Sequence, residues 1–164
     1  MKEQRTSIQQ QGFGLSWLLL CFVFALHVWD EATHDFLRYY NATMLTLYGH
    51  FSWIPRMDFE FREWLIGLLV AIVVCFALTP FAFRNARWLR PLAYLFAGIH
   101  FMNGMGHTAA EILGGTVPSV RFPGVAPGFY TAPLLLVSSA YLFWSLRRTV
   151  RPHSVLSPST YGKS

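Results

Sequence analysis

FGLSWLLLCFVFALHVWDEATH, Phe13 to His34, begins as a segment fit only for a bilayer and ends in four ionisable side chains on one helix face. His27, Asp30, Glu31 and His34 recur at i, i+3, i+4 and i+7, which at about 100° per residue confines them to roughly a third of the circumference. A second apolar run carries the same cargo, with His100, Asn103, His107 and Glu111 at i, i+3, i+7 and i+11. An unpaired charge deep in a bilayer costs on the order of 2.5–3.5 kcal/mol or more. Two such stripes therefore demand partners.

Composition sets the class. Of 164 residues 54% are hydrophobic and only 13% charged, against about 25% charged in a soluble domain. The chain reads as an all-α integral membrane protein with one domain over residues 1–150 and a disordered cytoplasmic tail over 151–164. Four spans are expected: Phe13 to about Trp29, Trp64 to about Phe83, Pro91 to about Leu113, and Tyr130 to about Leu146. Lys2 and Arg5 ahead of the first span resemble a secretory leader, but no small-x-small cleavage pattern follows, so an uncleaved span is expected. Cys21 and Cys75 both lie in apolar runs and indicate no disulfide framework.

Basic residues flank the spans instead of forming a patch, which argues against nucleic acid. Lys2, Arg5, Arg84, Arg87, Arg90, Arg147, Arg148, Arg151 and Lys163 fall on one side of a four-span layout, and Arg38, Arg56, Arg62 and Arg121 on the other. That bias puts both termini in the cytoplasm and suits a bacterial inner membrane. Spans one and three then run outward, and both stripes arrive at the non-cytoplasmic end. Ala93, Ala97 and Gly104 share the face of His100 and His107, which would let span three approach span one closely. Residues 35–57 fit an amphipathic interfacial helix, and Gly114 to Phe129 a turn-laden loop.

His and carboxylate at helical spacing, projecting inward from two helices, is how bundles hold metal ions. The expected ligands are His27, Glu31, His34, His107 and Glu111, for a divalent metal, zinc or iron. His100, Asn103 and Tyr130 would stand behind them, and Asp30 or Glu63 would serve as general base. Each has a plainer reading too. Charges at a helix exit are ordinary, Glu63 suits a helix N-terminus, and Tyr130 suits an interfacial aromatic belt.

The motifs also resemble those of the HXXEE-domain membrane proteins. His27-Val-Trp-Asp30-Glu31 is similar to the signature that names the family, with Asp30 replacing its first Glu. His100-x-x-Asn103-x-x-x-His107 and Pro127-Gly-Phe-Tyr-Thr-Ala132 continue the likeness over residues 15–147. The resemblance implies the architecture and the site and leaves the reaction open.

A metal-dependent membrane hydrolase acting on a lipid or other apolar small molecule fits best, since no serine or cysteine stands beside the stripes as a nucleophile. A di-iron oxidoreductase, a haem-binding or sterol-type bundle, and a proton or metal transporter are the rivals. The oligomeric state stays open, a homo-oligomer included.

Overall fold

The computed structural model describes residues 2–51 and 53–149, with side chains from residue 12 to residue 148 except residue 52. The tail from Arg151, expected to be disordered, lies outside the described residues. The chain forms five helices and one small hairpin: α1 (Lys2–Thr33), α2 (Phe36–His50), α3 (Phe61–Phe83), α4 (Leu89–Leu113), β1 (Gly115–Val117), β2 (Val120–Arg121) and α5 (Ala132–Thr149).

Apolar length decides the long helices. Among the described residues, Gly12–Thr33 and Phe61–Phe83 are long and apolar enough to cross a membrane, with mean hydropathies of 1.9 and 2.6. The long elements are all helical as expected, but two helices of spanning character, and not the expected four, stand among the described residues. The physical reason is dilution. His100, Asn103, His107 and Glu111 interrupt α4, and three serines with Arg147 and Arg148 interrupt α5.

α1 packs between α3 and α5, and α5 packs in turn on α4. Phe13, Trp17, Leu20 and Cys21 of α1 are fully buried, as are Leu135, Leu142 and Leu146 of α5. The Trp17 indole donates to the Cys75 carbonyl at 3.0 Å and ties α1 to α3. Ala93, Ala97 and Gly104 are buried as their shared face requires. Their partner differs from expectation: a Cβ on Gly104 would meet the Ala132 carbonyl and Leu136, both at 3.0 Å. The small face of α4 admits α5, and α1 and α4 meet through long side chains, from Trp17 against Phe96 to His27 against His107.

The His27–His107 end is covered by α2 and the hairpin. The Thr43 hydroxyl bonds that of Thr116, and Thr46 bonds Ser119 at 3.2 Å. Tyr39 stacks edge-on against Phe122, with ring centres 5.0 Å apart. The Asn41 amide grips the backbone of Phe59 through both its atoms, at 2.9 and 3.2 Å, and so closes the loop into α3. Of the stretch 35–57 expected to form an interfacial helix, Phe36–His50 is helical, as α2.

Candidate metal centre

His27 lies near the C-terminal end of α1, on the face turned into the bundle, and is fully buried. Glu31 follows one turn later, and His107 reaches in from α4; they are 5% and 6% exposed. The donor atoms of these three residues lie within 4.8 Å of one another. Glu31 Oε1 sits 3.3 Å from His27 Nε2 and 3.0 Å from His107 Nε2. The two imidazole rings are 4.8 Å apart, centre to centre, so the two stripes do meet.

Proton bookkeeping makes this contact unusual. His107 Nδ1 lies 2.6 Å from the Pro127 carbonyl, which can only accept, so Nδ1 carries the proton. A neutral imidazole has one N–H, and His107 Nε2 therefore presents a lone pair to the carboxylate. His27 is arranged likewise. Thr131 Oγ1 donates to Asp30 Oδ2 at 2.9 Å and accepts from His27 Nδ1 at 2.7 Å. His27 Nε2 is then an acceptor, and the Asn103 amide donates to it at 3.1 Å. Three buried electron-pair donors converge; the Asn103 amide meets that of His27, and the contact of His107 Nε2 with Glu31 Oε1 is left to be satisfied by a cation or an extra proton.

The set fits a metal. Ligands about 2.1 Å from a tetrahedral ion lie about 3.4 Å from one another, close to both observed N–O separations, while the set as a whole spans up to 4.8 Å. Histidines that bind metal commonly donate the other ring N–H to a carbonyl or a carboxylate. Here Pro127 supplies the carbonyl and Asp30, through Thr131, the carboxylate.

The other sequence candidates are placed elsewhere. His34 lies beyond the last residue of α1, where Asp35 is left-handed (φ 55°), so helical geometry no longer sets its direction. Its Nδ1 donates to the Asp30 carbonyl at 2.8 Å and lies 2.9 Å from Asp30 Oδ1. Glu111 stands one turn beyond His107 and accepts from the Ala126 N–H at 2.6 Å. His100 donates to the Phe96 carbonyl at 2.8 Å and sits 4.4 Å from the rings of Phe24 and Phe96. Tyr130 is exposed, its ring 5.4 Å from that of His34. Glu63 is exposed in the first turn of α3.

Three groups that the stripes do not contain complete the site. The Thr131 backbone N–H donates to Asp30 Oδ2 as well (3.1 Å), which fixes the start of α5 against α1. Pro127 offers its carbonyl. Gly128, at φ 78°, lets the chain pass under His107, and a Cβ there would lie 2.6 Å from the ring. The signal was present in the run Pro127 to Ala132, but a loop gives no periodicity from which to assign roles.

One cavity adjoins the cluster. About 300 Å³ in volume, it is walled by α2, α4 and the hairpin, and Asn103 and His107 form part of its lining. In comparisons with protein-family models, curated proteins and solved structures, nothing matches the chain.

Proposed function

We propose that this chain is a metal-dependent membrane enzyme, hydrolytic in its chemistry, that acts on a lipid or other apolar molecule. His27, Glu31 and His107 hold one divalent ion in this reading. The observation that carries it is the convergence of three electron-pair donors, each histidine having committed its N–H on the far side. Two His and one Glu, with a position left for water, is a donor set of zinc hydrolases. When bound, the ion polarises the substrate and brings the pKa of water near neutrality. Asp30 is a positioning residue, acting on His27 through Thr131. Burial of the cluster excludes bulk water.

The HXXEE likeness agrees, since the His27 and Glu31 of its signature both belong to the cluster. Outward faces support a bilayer around all four long helices. Leu95, Ile99 and Met102 of α4, and Val137 and Trp144 of α5, are exposed while the polar groups turn inward. With four crossings, the distribution of arginine and lysine favours termini on the cytoplasmic side, in keeping with a bacterial inner membrane.

The same three residues would also suit mononuclear non-haem iron, whose ligands are two His and one carboxylate. That favours one ion over a di-iron centre, because His34 and Glu111 are engaged elsewhere. Elemental analysis of the purified protein decides. The native chain should carry about one zinc per molecule and His107→Ala none, with hydrolysis lost alongside. Bound iron with a coloured, redox-active product would select the second reading. Equal metal in both proteins would overturn the site.

A further inference from the structure

The cavity beside the cluster has a lining that selects among apolar molecules. Phe36, Met102, Ala110 and Phe122 supply apolar walls, and no Asp, Glu, Lys or Arg lines it. Tyr39 and Tyr40 both line it from α2, and burial pushes the Tyr40 hydroxyl above its ordinary range. The two other clefts near α2 differ: one is lined by Arg56 and Asp58, the other by Asp35 and Arg38. Polar atoms of the cavity that face the cluster are those of Asn103 and His107.

Met102 matters for access. It lines the cavity and is 68% exposed, on the same outward strip of α4 as Ile99 and Met105. The wall of the cavity thus continues onto the surface that faces lipid. At about 30 Å³ per water-sized group, 300 Å³ holds roughly ten non-hydrogen atoms. That is the reacting part of a lipid and not its whole length.

We infer that the cavity between α2 and α4 is the substrate site and takes an uncharged lipid-like ester or amide, entering sideways from the bilayer past Met102. The carbonyl would lie at the Asn103–His107 end and the hydrocarbon chain among the aromatic rings. The walls offer a phosphate headgroup no Lys or Arg, and the ion held by His107 in the proposed reading is taken by the reacting carbonyl. The inference rests on the hydrolytic reading for its chemistry. Water adds to the carbonyl carbon, the bond to the leaving oxygen or nitrogen breaks, and water's proton passes to the leaving group.

The test separates the cavity from the metal. A long-chain methyl ketone bearing a diazirine resists hydrolysis and labels its site on irradiation; a lysophosphatidylcholine with the same chain and diazirine is the charged counterpart. Both are applied to the detergent-solubilised full chain, and labelled peptides and metal content are read separately. The ketone should label α2 and α4 around Phe36 and Met102, and the phosphocholine probe should not. Gly106 lines the cavity and a Cβ there meets nothing within 4 Å. Gly106→Phe should fill the space and cut labelling about tenfold or more, the worth of two buried methylenes, with metal content unchanged. Equal labelling by the charged probe, or labelling indifferent to Gly106→Phe, overturns the inference. Expected labelling in a protein that carries no metal would instead overturn the hydrolytic reading and leave the cavity assigned.

Discussion

Two sets of buried polar groups lie at opposite ends of one bundle, and they are built on opposite rules. At one end Ser16 and Ser145 approach to 2.7 Å across α1 and α5, and each hydroxyl also reaches its own helix, at Phe13 and Leu142. A hydroxyl donates and accepts, so the pair closes on itself. At the other end the Nε2 atoms of His27 and His107 both turn to Glu31, with the Asn103 amide reaching His27 alone and the ring protons directed outward to Thr131 and Pro127. A polar group that only holds helices together can satisfy itself from within. One that awaits a cation cannot, and burial makes the difference costly.

The largest effect should come from converting the second kind of set into the first. Glu31→Gln replaces a carboxylate with an amide that can donate to either Nε2. Metal content should fall to background, and added zinc should no longer raise the Tm as it does in the native chain. Without metal, the variant should melt higher than the native protein by about 2–4 °C, the worth of one net hydrogen bond in a chain of this size. A lower Tm in the metal-free variant would mean that a proton, not a cation, joins the native cluster.

Next in size is a change that touches no ligand. Gly128→Ala puts a Cβ 2.6 Å from the His107 ring at a positive φ, so the ring must swing off the Pro127 carbonyl. A loss of about 1–3 kcal/mol is expected from the backbone alone, and metal affinity should drop with it. Gly106→Ala is the control. It meets nothing within 4 Å in the same helix as His107, and should be neutral or stabilising by up to about 1 kcal/mol. Matching losses in the two variants would show that Gly128 serves the fold and not His107.

How much of this the sequence discloses follows the same division. The meeting of His27 with His107 is legible because helix periodicity and the placement of Arg and Lys point independently to one end. Legibility stops where helical geometry stops. His34 looks like a ligand on a helical projection, yet α1 ends at Thr33 and the left-handed Asp35 redirects the chain. Glu111 shares the azimuth of His107 but stands about 6 Å further along the axis, level with the loop whose Ala126 N–H it accepts. The small face of α4 announces a close neighbour without naming it, so α5 could not be told from α1. Thr131 and Pro127 belong to a segment with no period at all.

Thr131 offers a finer cut at the same contrast, because it is a hydroxyl serving the open set. Thr131→Val keeps the shape and removes the link from Asp30 to His27. Such outer partners are commonly worth 10- to 100-fold in metal affinity. Zinc titration should show a weakening in about that range, with Thr131→Ser restoring most of it. Valine with native affinity would reduce Thr131 to a helix-capping contact.

The smallest effect is expected at the other end. Ser16→Ala and Ser145→Ala remove both hydroxyls of the bond between α1 and α5 together. Side-chain hydrogen bonds between membrane helices average about 0.6 kcal/mol, and the double variant should lose no more than about that in an unfolding titration. Each single variant should cost no more than about the same amount. Metal content should not move in any of the three. Because the pair joins α1 to α5, and Thr131 of α5 orients His27 of α1, a change in zinc affinity in the double variant would mean that the serines set the register of the two helices. The two ends would then be one coupled device, and the contrast between a closed and an open polar set would fail.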